Sequence, residues 1–154
     1  LKELAQKGYF HPSTKGSNSI KKVLPAVLET SAFLKERYSQ PLYGAGNGIP
    51  SKNFQSMVWW TADELGLVQD PYQKLVEAVD GEWAEIEASE EDLDIAAGGE
   101  ATMAYARLQY EALDDATRAS LKAKLLRYCE LDTLAMAMVV EAWKDALGLF
   151  SPAK

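Results

Sequence analysis

Apolar positions along the chain recur mostly at steps of three and four, the spacing of a helix that buries one face. In SIKKVLPAVLE the recurring residues are Ile20, Val23, Leu24, Val27 and Leu28, with Ser17 or Ser19 placed to cap the helix start. Pro25 falls inside this pattern. It has no N–H to donate, so it predicts a break or the first turn of a second segment. SAFLKERYSQ reads as one short helix opened by Ser31 and stopped at Pro41. DPYQKLVEAVDG reads as another, with Asp70 as N-cap, Pro71 in first position, Leu75, Val76 and Val79 apolar, and Gly81 as the stop. From Gly98-Gly99 onward the pattern is strongly helical. EATMAYARLQYEAL sets Met103, Ala106 or Arg107, and Tyr110 on one side, and the run from Asp114 ends at Gly148.

The strand signal is weak. Met57 to Trp60 suits a short strand or the opening of a helix capped near Thr61, and four residues do not separate the two. The segment 41–54, PLYGAGNGIPSKNF, is a loop by its glycines and prolines. A phosphate cradle would need a Gly-Lys-Ser/Thr sequence and a preceding apolar strand, both of which are lacking. At the start, LKELAQKG resembles the tail of an amphipathic helix ended by Gly8. With no initiator Met, it predicts that the chain is a piece of something longer.

Composition changes this picture in three ways. The 154 residues, 47% hydrophobic and 25% charged, suit one domain or domain fragment over 1–154. No run reaches the roughly 18 to 20 apolar residues of a membrane span, so a soluble, cytoplasmic protein with no membrane partner is expected. One cysteine, Cys129, and one histidine, His11, rule out an internal disulfide and a Cys/His zinc site, so any metal would be held by oxygens. The net charge of -7 is uneven: residues 1–54 carry eight Lys/Arg against three acids, and residues 55–154 carry eight against twenty. A locally basic first third is compatible with guiding an anionic strand. The eight acids between Asp80 and Asp94 read as a solvated surface or as a cation site, although the Gly-centred loop of an EF-hand is missing.

The chemistry concentrates in LLRYCELDT. Leu121, Leu125, Tyr128, Asp132, Ala135 and Val139 fall on one helical stripe, so Tyr128 and Asp132 project side by side, one turn apart. Leu131 before Asp132 and LAMAMVV after it suggest a helix buried on several sides. A buried carboxylate there needs a cation, a metal or several donors. If the helix instead breaks near Glu130, Asp132 becomes the N-cap of the next segment.

Tyr128-Cys129-Glu130-Leu131-Asp132 resembles the third motif, Tyr-x3-Asp, of the DnaQ-like 3′-to-5′ exonucleases with four acidic ligands, in the tyrosine subgroup. HPSTKGSNSIKKVLPAVL, IPSKNF, DPYQKL, GGEATMAYARLQY and LLRYCELDTLAMAMVVEAW together resemble the last part of an uncharacterised bacterial domain family. That family is often attached to RecB-like nuclease modules and carries a DnaQ-like core. The likeness spans nearly the whole chain.

The resemblance implies a mainly α chain that is the C-terminal helical part of an α/β ribonuclease H-like exonuclease fold. In the complete domain two Mg²⁺ or Mn²⁺ ions would be held by four carboxylates, with Asp132 a metal ligand and Tyr128 orienting the attacking water. A tyrosine, with an ordinary pKa near 10, stays protonated at neutral pH and can position water without competing for the metal. The family's first motif, an Asp-x-Glu on the first strand of the sheet, has no counterpart here, because the matching segments begin downstream of it, and nothing in LKELAQKGYFHP supplies the second-motif aspartate. The fragment alone is therefore expected to be inactive, to lack the sheet, and to cover the exposed face as a homodimer. His11, Lys15, Lys21 and Lys22 are candidate contacts to the nucleic acid, or simply an exposed basic loop. A non-catalytic helical interaction module is the alternative for the whole chain.

Overall fold

The computed structural model describes residue 3, residues 7–77 and residues 93–149. The chain is mainly helical. A short 3-10 turn at Pro12–Thr14 is followed by helices α1 (Ile20–Thr30), α2 (Ala32–Tyr38), α3 (Pro71–Glu77), α4 (Leu93–Tyr110) and α5 (Asp115–Ala146). Among the described residues, β pairing is confined to three isolated bridges. The chain forms two compact units, one of residues 1–71 and 132–154, the other of residues 72–131.

In the first unit α1 is continuous through Pro25, so the expected break does not occur. Proline forfeits one ladder bond to the carbonyl of Lys21 and crowds it, at a cost of about 3 kcal/mol in a helix interior. Val23, Leu24, Ala26, Val27 and Leu28 are all buried. Each fully buried Leu or Val contributes about 1.5–3 kcal/mol, enough in sum to offset the lost bond. α2 starts where expected: the Ser31 hydroxyl accepts from the amide of Leu34 at 3.2 Å.

Residues 41–60 wrap an aromatic cluster in which Trp59, fully buried, meets Phe54 edge-on at 5.0 Å and Tyr43 at 5.8 Å between ring centres. Tyr43 bridges to both Ile49 and Met57. Met57 to Trp60 is neither a strand nor a helix: the amides of Trp59 and Trp60 both donate to the carbonyl of Tyr38, at 3.0 and 2.9 Å. The loop glycines allow close packing of backbone on backbone. Gly44 sits at φ +77 with Phe54's carbonyl where a Cβ would be, and Gly48 likewise faces the carbonyl of Leu42.

In the second unit α4 begins at Leu93 and runs through Gly98 and Gly99, earlier than the glycine pair suggested. Met103, Arg107 and Tyr110 lie on its exposed side, while Ala104 is buried. The turn to α5 is closed from both ends. Asp114 Oδ1 accepts from the amide of Thr117 at 2.8 Å, and Arg118 donates to the carbonyl of Leu108 at 2.7 Å, at the C-terminal end of α4.

α5 is one unbroken helix whose end matches expectation. Gly148 adopts φ +66, its amide donates to the carbonyl of Asp145, and that of Leu149 to Lys144, the paired bonds of a Schellman stop. α3 starts at Pro71 as expected, whereas its Gly81 stop and the acidic 80–94 stretch up to residue 92 lie outside the described residues. Glu3, Lys7 and Gly8 are helical, and the rest of the N-terminal segment before Tyr9 lies outside the description.

Candidate functional site

α5 carries Tyr128 and Asp132 deep in its interior, thirteen and seventeen residues after its first residue, Asp115. Because the helix does not break near Glu130, Asp132 is not an N-cap. The two side chains project from consecutive turns of the same helix face. Burial rises along that stripe: Leu121, Leu125, Tyr128 and Asp132 are half-buried, and Ala135 and Val139 are fully buried. The deepest row is offset to one side, through Leu131, Ala135, Met138 and Ala142.

The surroundings of Asp132 correct the expectation of a helix enclosed on several sides. Thr133, Met136 and Ala137 are exposed, so the apolar run LAMAMVV includes a solvent-facing strip. Asp132 sits at the margin between that strip and the core. A half-buried carboxylate keeps part of its hydration, which lowers the cost of its partial burial. A carboxylate in this setting can serve as one oxygen ligand to a hard cation. Among the described residues, no three of His, Cys, Asp and Glu come together in a group able to hold a metal ion. The described residues thus assemble no metal centre around Asp132.

Tyr128 has a neighbour that the pattern of apolar positions did not identify. The ring of Tyr72, from the first turn of α3, lies 6.3 Å from that of Tyr128 with the planes tilted by 55°. Ring pairs at this separation fix each other's orientation at a gain of about 0.5–1.5 kcal/mol. The signal was present in DPYQKL, where Tyr72 follows the N1 proline, but ring pairing across 56 positions leaves no periodic trace.

The basic candidates lie within one short stretch. His11 is the N-cap of the 3-10 turn: its Nδ1 accepts from the amide of Ser13 at 3.3 Å, and its carbonyl accepts from the Thr14 hydroxyl at 2.8 Å. That occupies His11 structurally and leaves Nε2 as the group able to meet a ligand. Lys15, exposed, closes the turn in the left-handed region at φ 49. Lys21 and Lys22 occupy the first turn of α1, where the first amides of the helix add positive potential. Lys22 is exposed and Lys21 half-buried.

No helix among the described residues is long and apolar enough to cross a membrane. In comparisons with protein families, with curated proteins and with solved structures, the chain matches none.

Proposed function

We propose that the chain is the C-terminal helical portion of a metal-dependent 3′-to-5′ exonuclease-like domain of ribonuclease H-like fold that acts on nucleic acid in the cytoplasm. The observation that carries the reading is the place of Asp132: inside an unbroken helix, half-buried, one turn beyond Tyr128, and not used as a cap. The motif resemblance gives that arrangement its meaning.

In the complete domain Asp132 would be one oxygen ligand to Mg²⁺ or Mn²⁺, and those ions supply activation of water and stabilisation of the leaving oxygen. Tyr128, held by the ring of Tyr72, would orient the water, and His11, Lys15, Lys21 and Lys22 would meet the phosphate backbone. One carboxylate does not hold two hard cations that each take about six oxygens, so the isolated chain is inactive.

The test uses the complete parent protein with Mg²⁺ or Mn²⁺ on end-labelled single strands. Loss of cleavage is expected in Asp132→Asn and a large drop in Tyr128→Phe; undiminished cleavage by the Asn variant removes Asp132 from the site. The second reading, a non-catalytic helical interaction module, is favoured by the large apolar side chains that α4 leaves exposed, Met103, Tyr105 and Tyr110. An apolar strand carrying Asp-x-Glu upstream of Leu1 in the gene favours the nuclease, and its absence favours the module.

A further inference from the structure

Residues 61–69 form a turn that is fastened almost entirely to itself. Ala62 and Val68 pair as an antiparallel bridge, and the amide of Gln69 donates to the carbonyl of Thr61 at 2.9 Å. The Thr61 hydroxyl donates to Gln69 Oε1 at 2.7 Å. Asp63 is the hub: its Oδ1 accepts from the amides of Leu65 and Leu67, both at 2.9 Å, and its backbone exchanges bonds with Gly66 and Leu67. Gly66, at φ +80, completes the tight reversal.

This frame displays two leucines to solvent, Leu65 at 84% and Leu67 at 60% exposure. Single exposed leucines are ordinary on protein surfaces. A pair fixed on a closed turn is different in energetic terms, because little backbone entropy is left to lose when it is covered. The turn is also acidic: residues 55–70 contain Asp63, Glu64 and Asp70 and no basic residue.

The same unit carries the opposite kind of surface. Phe10 is 82% exposed, and Lys7 and Lys15 on either side of it in sequence are exposed too. An apolar knob with acidic neighbours and an apolar knob with basic neighbours are complementary in both hydrophobicity and charge.

We propose that residues 61–69 are a self-association element: Leu65 and Leu67 of one copy dock against Phe10 of a second, with Glu64 directed to Lys7 and Lys15. A two-fold arrangement makes the contact twice and closes the pair. Even doubled, three large apolar side chains on each copy fall well short of the roughly 800 Å² per partner of a standard interface, so the association is weak and reversible. It does not depend on the nuclease reading.

Sedimentation of the 154-residue chain over a graded concentration series tests it. The expected result is reversible dimerisation that weakens about tenfold or more in Leu65→Ser/Leu67→Ser and in Phe10→Ser. It also weakens as salt is raised, since exposed charges are screened. Glu64→Lys weakens it, and Lys7→Glu with Lys15→Asp in that background restores it. All substituted side chains are exposed, and unchanged circular dichroism confirms that each variant is folded. A wild-type chain that stays monomeric throughout overturns the proposal, as does a dimer indifferent to the leucine and phenylalanine substitutions or a charge reversal that fails to restore association.

Discussion

The phenol of Tyr38, at the end of α2, donates a 2.8 Å hydrogen bond to Glu141 Oε2 near the end of α5, across 103 positions of sequence. Tyr38 is buried, and Arg37 adds a longer ionic contact to the same oxygen at 3.7 Å. Burial, and then the bond to Glu141, push the Tyr38 phenol well above its ordinary value. Tyr38→Phe is expected to cost about 1.5–3 kcal/mol, the worth of a hydrogen bond to a charged group, measured by urea denaturation at neutral pH. The sign of the pH effect follows from the raised folded value. The stabilisation is intact below the unfolded tyrosine's value of about 10 and is lost as pH rises beyond it, because only the unfolded chain ionises easily there. The gap between wild type and Tyr38→Phe therefore narrows in alkali.

Asp114 gives the opposite dependence. The amide of Thr117, and then its hydroxyl, hold the Asp114 carboxyl below its ordinary value. A lowered folded value stabilises the fold above the unfolded carboxyl's value of about 3.9, and the contribution disappears as pH falls through the folded one. Asp114→Asn keeps an acceptor at the helix start but has no charge to lose. Its urea midpoint should lie below wild type at neutral pH and converge with it in acid.

How far these relationships could be read from sequence depends on their range. Ser31 before α2, Pro71 at the head of α3 and Gly148 after α5 act on residues within one turn of themselves, and each is found where the local pattern puts it. Pro25 and the Gly98-Gly99 pair are local breakers that context overrode, in α1 visibly through five buried neighbours. The turn at 61–69 was invisible because its hub, Asp63, works through backbone amides rather than through apolar spacing. At the candidate site the helix, the stripe and the register of Tyr128 and Asp132 were legible. The ring of Tyr72 and the solvent-facing strip beside Asp132 were not, since both depend on what packs against α5.

The glycine-rich loop supplies its own internal control. Ala at Gly48 would drive a Cβ into the carbonyl of Leu42, and Ala at Gly44 would meet Phe54's carbonyl at a positive φ as well. Each is expected to destabilise by about 1–3 kcal/mol, the range for overpacking against backbone that has little room to yield. Gly46 has nothing within 4 Å of an added Cβ, so Gly46→Ala should change stability by less than about 0.5 kcal/mol. Thermal or urea unfolding of the three variants separates a packing role for the glycines from a ligand-cradling one, in which Gly46 would be as sensitive to substitution as its neighbours.

Leu131 and Asp132, adjacent on α5, should separate stability from function. Leu131 is fully buried, and Leu131→Ala removes core contacts and leaves a cavity, at an expected cost of about 2–5 kcal/mol. Asp132 is half-buried in a helix interior, and Asn keeps its shape while removing the charge. Asp132→Asn opens no cavity and should therefore cost less than Leu131→Ala in urea unfolding. The exonuclease reading proposed above expects the reverse order for cleavage at permissive temperature, with Leu131→Ala retaining it and Asp132→Asn losing it. A large loss of stability in Asp132→Asn would instead assign the carboxylate to holding α5 in place.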